Sequence, residues 1–583
     1  PLRKERLAAD EALTLFWNER TPRASLAELC AAEGTPLEWG KLSRSLSATT
    51  QALVDLLTKA HVEDSADEKA RKKAKREVQA ALTAWLEAAA AATPSYDLGM
   101  GCLATASLLH EFGELLSPSL TWRSLELLWN TARHATAWNL GADAAPEDVV
   151  ASQLFGVELP LTLAYLFAEM APMARLAHAA SDFLEGSTVE LLNGHGLPRG
   201  AHLSALRPLA ACWTRCAALA GETKGGKLSK KAGRQYRGLV RQALRWTAPD
   251  GTHLLSFEFS DAWPADFVRA ALQMGGGKKD ATAAADLLGA AFIGERETAK
   301  EPPQACYDCE WAGLAVMRRR FSADEPVIAI DYSTPQMRLD VWAGRRRLLG
   351  GVIAAESRAG GKQFRPTGPW ENLCWFTDKD INYLELSLPL RDGARLDRQI
   401  MLALRDGFMI VADHLHHPEA VALEHVVQLP LGPSLLFCGE GETRDALLVD
   451  GQPLARLIPL ALPEWRIDPR VGELSFSGGA VRLAEKSMGK ALACPLFVDL
   501  RPERAGRHST WRQLTVAEGL QIQPPDVAVS YRIQSGKEQW VLYRSQGPRG
   551  NRSFLGQNTS NEFFIGRFLA PSGEVESLLE IEG

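Results

Sequence analysis

The sequence predicts a multidomain α+β protein, with a helical half up to about residue 300 and a large antiparallel β half after it. Three observations carry this. Apolar residues recur at helical spacing in successive segments between residues 96 and 246. A charged, Pro-containing break, ERETAKEPPQ, spans residues 295–304. Beyond Tyr307 the texture changes to short alternating or apolar runs between turn residues.

The first 90 or so residues read as helices, with amphipathic stretches at 8–17 and 46–57. The run EDSADEKARKKAKRE, residues 63–77, reads as a solvated helix face of mixed charge. Helical segments follow at 99–116, 122–137, 149–169, 173–192, 203–220 and 232–246. Some open on a small or polar residue suited to capping. Helical hairpins that cannot bury their faces alone must stack on neighbours. An incomplete α/α toroid meets that demand and leaves a cleft where its loops converge; an open solenoid meets it too. KGGKLSKK, residues 224–231, reads as a flexible basic loop, and MGGGKKD, residues 274–280, as another break. The domains are therefore set at 1–300 and 301–583.

In the second half, strands are expected at 315–320, 327–332, 337–343, 383–388, 399–404, 408–413 and 424–428. Later ones fall at 474–477, 496–500, 514–515, 529–533, 539–543 and 563–569. Breaks such as Ala343-Gly344, Arg391-Asp392-Gly393 and Arg405-Asp406-Gly407 suit antiparallel hairpins. So many strands in succession without helices predict a large β-sandwich.

Composition bounds the function. The chain has 583 residues, 46% hydrophobic and 23% charged, as a globular protein does. Its 65 basic and 71 acidic residues give a net charge of -6, which offers no electrostatic footprint for nucleic acid. No unbroken run of roughly eighteen apolar residues is present, so no membrane span is expected. The nine cysteines are scattered and read mainly as small buried hydrophobes. Cys306-Tyr307-Asp308-Cys309 is a lone CxxC, without the second pair a zinc site needs. The chain starts at Pro1 rather than Met, so the residues leave its compartment open.

One stretch concentrates polar residues just before a helix: LLNGHGLPRGAHLSALRPLAACW, residues 191–213. It gives a polar turn, Asn193-Gly194-His195-Gly196, then Pro198, Arg199 and His202. It resembles the segment of heparinase II/III-like lyases that reads roughly Asp-Gly-Gly-His-x-x-Arg before a helix. Asn193 stands for the Asp, Arg199 matches the Arg, and the His is displaced by one position. Upstream, Ser152-Gln153-Leu154-Phe155-Gly156 is similar to that family's Asn-His-Leu-Leu-Gly stretch. Downstream, TAPDGTHL at 247–254 resembles its His-x-Asp-Gly segment. WAGLAVMRRRFSADEPVIAIDYS at 311–333 and MRLDVWAGRRRLLGG at 337–351 resemble its opening β strands. Tyr383-Leu384-Glu385-Leu386, Arg398 and residues 408–415 follow its later ones. The resemblance covers roughly residues 150 to 430. The departures fall where the family carries its chemistry. Its Asn-His is Ser152-Gln153 here, its Tyr falls near Leu203 beside His202, and its sandwich His falls among Ser333-Thr334-Pro335.

The resemblance implies a toroid followed by a sandwich, with a glycosaminoglycan or other uronic-acid polymer bound in the cleft between the domains. If the chain is active, the reaction is β-elimination to an unsaturated uronate. The alternative is an inactive carbohydrate-binding or structural protein on the same scaffold, favoured by the lost residues. The resemblance also implies a periplasmic or secreted chain with its signal peptide removed. The oligomeric state stays open.

Elimination needs a group to neutralise the uronate carboxylate, a base for the C5 proton and an acid for the leaving oxygen. Gln153 could hydrogen-bond the carboxylate, and Arg199 could hold it with a bidentate fork. His202 and His195 could act as base. Tyr332 is the phenol nearest the sandwich's inner edge, and Tyr236 the candidate in the toroid. Asn193, and Trp138 as a stacking platform, complete the substrate-facing set. Each has a plainer reading: Gln153 as a capping or exposed amide, Arg199 paired with Glu190, His202 as a helix cap, Tyr332 as half-buried packing. Asp413-His414-Leu415-His416-His417 reads as a polar turn before Pro418. No cofactor is expected; a structural metal at His414 and His416 is the weaker reading of that cluster.

Overall fold

The computed structural model describes residues 10–13, 15–17, 19–21, 23–60, 68–134, 144–255, 261–467, 472–570 and 572–582. The chain divides into two compact units. One comprises Pro1–Thr247 and Gly251–Pro303, the other Ala248–Asp250 and Gln304–Gly583.

The long helices described in the first unit are α1 (Ala48–Ala60), α2 (Glu68–Ala89), α3 (Tyr96–Phe112) and α4 (Pro118–His134). α5 (Pro146–Gln153) passes through a π-helical stretch, Leu154–Glu158, into α6 (Leu159–Leu166). α7 (Leu176–Glu190), α8 (Leu206–Glu222), α9 (Lys230–Arg245), α10 (Ala265–Met274) and α11 (Lys278–Leu288) follow. The Ser95 and Ser229 hydroxyls cap α3 and α9 by accepting from the Leu98 and Ala232 amides, satisfying donors that a helix start leaves open. Within the charged run of α2, Lys73, Lys75, Arg76 and Glu77 are exposed.

The segment Pro146–Leu166 is long and apolar enough to cross a membrane, and its most apolar window is wholly buried in the protein. A helix apolar all round must be enclosed on every side. Its one internal charge, Glu158, is matched by Arg215 of α8, whose Nε and Nη2 donate to the two carboxylate oxygens at 2.5 and 2.9 Å.

In the second unit every strand pairing is antiparallel among the described residues. β1 (Tyr307–Cys309), β2 (Leu314–Arg318), β3 (Val327–Asp331), β4 (Arg338–Ala343) and β5 (Arg346–Val352) form a five-stranded sheet in sequence order. After β6 (Ala354–Ala359) and β7 (Lys362–Gln363), the main path of a larger sheet begins at β8 (Glu371–Thr377). It runs on through β9 (Ile381–Pro389), β10 (Arg395–Ala403) and β11 (Phe408–Pro430). β11 then pairs with the distant strand Ala480–Asp499. The tight connections use left-handed residues: Gly344, Asp392, Gly393 and Gly407 all have positive φ.

The large sheet is covered on both faces. Leu384, Ile400 and Val411 on one face share a core with Ile328, Ile330 and Leu339 of the first sheet. Tyr383, Met401 and Phe408 on the other face pack with Trp511, Tyr531 and Trp540, which lie on or beside a further five-stranded sheet. Burial on both faces leaves every residue of β10 after Arg395 buried, including Asp397, Arg398 and Gln399, rather than alternating buried and exposed.

The reading of Asp413–His417 as a polar turn is corrected. β11 runs straight through it for 23 residues. Its register against Ala480–Asp499 shifts between His416 and Val421, so Pro418 falls in a bulge where no ladder donor is required. The histidines are therefore strand residues. His414 is hydrogen-bonded through Nε2 to Gln399 Oε1 and through Nδ1 to Gln546 Nε2, both at 3.0 Å. Both ring nitrogens of His414 are thus held by protein partners. Burial pushes the His414 imidazole down to about 3, so it is neutral. His416 pairs instead with Asp397 at 3.2 Å.

Candidate functional site

In the helical unit, the anchor segment folds into a braced loop ahead of α8. Asn193 Oδ1 accepts from the His195 and Leu197 amides at 2.9 and 3.0 Å, and the Asn193 amide donates to Leu197 O at 2.9 Å. Leu192 and Pro198 close the loop with an isolated bridge. Gly196 has φ +82°, and a Cβ there would lie 2.2 Å from the Gly238 backbone. The loop therefore rests directly on α9, where Gln242 Nε2 also donates to His195 O. Gly196→Ala is expected to lift the loop off α9 and cost about 1–3 kcal/mol, the usual range for overpacking. Urea denaturation of the variant checks this.

This bracing leaves His195 and Arg199 exposed, Asn193 half-buried and His202 buried. Arg199 has extended backbone angles and starts the 3₁₀ turn Gly200–Ala205, while His202 Nε2 makes a 3.0 Å hydrogen bond with Ala144 O. Other expected members of the site also point inward. Gln153 is 1% exposed. Its Nε2 donates to the Ser152 and Ser187 hydroxyls at 3.1 and 3.2 Å, and its Oε1 accepts from Trp213 Nε1 at 3.4 Å. It lies in the wholly buried part of α5, which has no solvent face to offer. Tyr236 is buried and shares a 2.8 Å hydrogen bond with the Thr214 hydroxyl. Gln153, His202 and Tyr236 are therefore not surface groups. Trp138 lies outside the described residues.

The β unit assembles a second constellation where the edges of two sheets meet. β1 is the edge of the first sheet and β8 an edge of the large one. Tyr332 follows β3 and, at 4% exposed, is buried in the core rather than half-buried or facing a cleft; its hydroxyl donates to Asp308 Oδ1 on β1 at 2.9 Å. Asn372 Nδ2 on β8 donates to Asp308 Oδ2 at 3.1 Å. Burial pushes the Asp308 carboxyl up to about 6; Glu310 adds to this, while the Tyr332 and Asn372 hydrogen bonds oppose it. Burial, reinforced by Asp308, pushes the Tyr332 phenol well above its ordinary value. Tyr332 thus holds its proton, and Asp308 changes charge near working pH. Beside them, Ser333 donates through its amide and hydroxyl to Asp331, which also pairs with Arg338.

Asp308 and Asn372 escaped the sequence reading. Asp308 sits inside the CxxC motif, where the cysteines drew attention, and Asn372 is distant in the chain. No spacing rule connects them. Among the described residues, Glu158, Cys212 and Cys216 place ligand-type atoms within 4.8 Å of one another. Arg215 occupies both Glu158 oxygens, and burial pushes both thiols up, which disfavours metal-binding thiolates.

No protein-family model matches the chain, and no curated protein matches it. Solved structures do. The chain is similar to a heparinase III gene product with TM-score 0.59 at 11% identity, covering 93% of this chain and 96% of that one. It is similar to another heparinase III with TM-score 0.59 at 9% identity, covering 92% and 95%. A mutant of the heparan sulfate lyase HepC from Pedobacter heparinus aligns with TM-score 0.56 at 10% identity, covering 86% and 81%. The chain has the fold of these polysaccharide lyases in a strongly divergent sequence.

Proposed function

We propose that this chain is a polysaccharide-lyase-like protein that binds a uronate-containing acidic polysaccharide and cleaves it by β-elimination. The helical unit is read as an incomplete α/α toroid and the β unit as a β-sandwich. The observation that supports the reading is the likeness in fold, over most of the chain, to structures named heparinase III and heparan sulfate lyase. An acidic polymer needs a fixed cation to meet its carboxylates or sulfates, and Arg199 beside His195 offers one on a braced loop. The first-turn amides after Arg199 add to the positive field there. On this reading the chain meets its polymer in the periplasm or outside the cell.

The test is absorbance in the ultraviolet band of an unsaturated uronate, measured over a panel of uronate polymers. Arg199→Ala is expected to weaken acidic-glycan binding by about 1.5–3 kcal/mol, the range for a charge-assisted hydrogen bond, with folding nearly intact. Arg199→Lys should recover part of the loss, because an ammonium cannot reproduce the planar fork. Unfolding of Arg199→Ala without a separate binding defect would make Arg199 a structural ion-pair partner.

A second reading, a non-catalytic carbohydrate-binding protein on the same scaffold, is favoured by a specific observation. Gln153 and His202 are buried, and Leu203 and Ser333-Thr334-Pro335 stand where the resembling family carries its Tyr and His. Glycan binding without any absorbance gain supports that reading.

A further inference from the structure

We infer that the exposed basic face of α9 is a second holding surface for an acidic polysaccharide, which runs along it toward the loop that carries His195 and Arg199. The inference rests on the reading of the ligand as an acidic polysaccharide, and it holds whether or not the chain cleaves that polymer.

The charge is uneven in the sequence itself. Residues 223–245 hold eight Lys and Arg and no Asp or Glu, in a chain whose net charge is -6. They include the basic loop KGGKLSKK and all of α9. The fold sorts these cations by use. Arg245 is buried, and Arg241 pairs with Asp280 of α11 at 2.7 Å. Lys224, Lys227, Lys230, Lys231, Arg234 and Arg237 are all exposed. None of these six makes an ion pair among the described residues. Lys230, Arg234 and Arg237 recur every three or four residues, so they form one stripe with neighbours ~5 Å apart along the axis.

The stripe costs the helix stability. Lys230 and Lys231 occupy the first turn of α9, where the helix dipole is already positive and no acidic side chain offsets them. Lys230 and Arg234, four residues apart, repel each other. A solvated helix face normally mixes both signs, as α2 does with Lys73 beside Glu77. A stripe of one sign is relieved when an anion lies on it.

Position and chemistry select the anion. The braced loop abuts α9 at Gly238, the residue after Arg237, where a Cβ would lie 2.7 Å from His195 O. The cations of α9 therefore lead to the loop, and an extended polyanion can touch both. The apolar residues of α9, Tyr236, Leu239 and Val240, are buried. The stripe thus offers no apolar face to enter a membrane and no aromatic ring on which a nucleobase could stack. Cations one turn apart match anionic groups on successive sugars. A polymer with sulfate as well as carboxylate supplies these; one with a lone carboxylate per disaccharide leaves alternate cations unmatched.

The experiment is isothermal titration of the full chain with two polymers of one backbone, chondroitin sulfate and its desulfated form, at several salt concentrations. The triple variant Lys230→Gln, Arg234→Gln, Arg237→Gln is compared with Lys73→Gln, Lys75→Gln, Arg76→Gln, which removes the same charge from exposed positions on α2. The parent should prefer chondroitin sulfate. The α9 variant should bind it about tenfold or more weaker at ~50 mM salt, with a shallower salt dependence because fewer counterions are released. The α2 variant should match the parent. In urea the α9 variant should be at least as stable as the parent, because like charges have left the first turns. Should it fail to fold, Lys224→Gln with Lys227→Gln on the preceding loop repeats the test. Equal losses in the two triple variants, or none in the α9 variant, overturn the holding surface. Equal affinity for the two polymers overturns the match to closely spaced anions. Tighter binding of duplex DNA or of phosphatidylserine vesicles than of chondroitin sulfate overturns the glycan as occupant. A parent that binds neither polymer overturns the inference, and one that also binds none of the uronate panel overturns the acidic-polysaccharide reading as well. Stripe-dependent binding without any absorbance gain supports the holding surface and sinks cleavage alone.

Discussion

Asp413→Ala is expected to cost the β unit about 3–5 kcal/mol, the usual penalty for leaving a buried charge without its partner. Arg398 and Asp413 lie side by side on β10 and β11, each about 1% exposed. Arg398 Nε and Nη2 donate to the two carboxylate oxygens at 2.6 and 2.7 Å. Asp413 Oδ2 also bonds His425 Nε2 at 2.8 Å, and His425 Nδ1 bonds the Ser357 hydroxyl at 2.9 Å. Deleting the carboxylate strands the guanidinium and the imidazole together, against the face of Trp370. Amide exchange on β10 and β11, with denaturant titration, measures the loss. The pH dependence has a definite sign. Burial alone would push the Asp413 carboxyl up, but Arg398 and His425 hold it well below the usual carboxylate range. A depressed carboxyl contributes stability above its unfolded value of about 3.8, and that stability is lost as pH falls below it. The parent chain should therefore weaken steeply in acid, and Asp413→Asn should flatten that slope.

Glu158→Ala should be as severe in the helical unit, again about 3–5 kcal/mol. Glu158 is 0% exposed in the π-helical stretch between α5 and α6. Without it, Arg215 keeps only backbone acceptors, Pro36 O at 3.0 Å and Trp39 O at 3.4 Å. Replacing both partners with apolar residues, Glu158→Leu with Arg215→Met, should recover most of the loss, because no charge is then left buried. A double-mutant cycle read by urea denaturation decides this. A double variant no better than Glu158→Ala would show that the backbone bonds of Arg215 carry the stability instead.

The division into helical and antiparallel units was legible because each depends on local pattern. Helical apolar spacing marked α3 to α9, and the turn residues at Ala343-Gly344 and Arg391-Asp392-Gly393 marked hairpins that the structure contains. What failed to show in the sequence depends on distant partners. Pro418 and the neighbouring histidines look like a turn until the shifted pairing with Ala480–Asp499 places them in a bulge. Gln153 looks like a surface amide until the largely apolar helix around it proves to be enclosed. Asp308 and Asn372 become a pair only when two sheet edges meet. The braced loop at Asn193–Arg199 was partly legible, because a polar turn with Gly and Pro before an apolar helix is a local signal. The inward turn of His202 was not.

The long strand β11 also sets an order of assembly. Its pairing with β10 is a local hairpin closed at Ala403 and Phe408, which can form early. Its other edge must wait for Ala480–Asp499, whose residues pair with it from Phe408↔Asp499 to Pro430↔Ala480. Closing so long a connection carries a loop-entropy cost before any rung rewards it, so this ladder should be the slow event in refolding. In the interval β11 presents a long unpaired edge, rich in β-branched and apolar residues, that another copy of the chain could pair with. Refolding yield should therefore fall steeply with protein concentration.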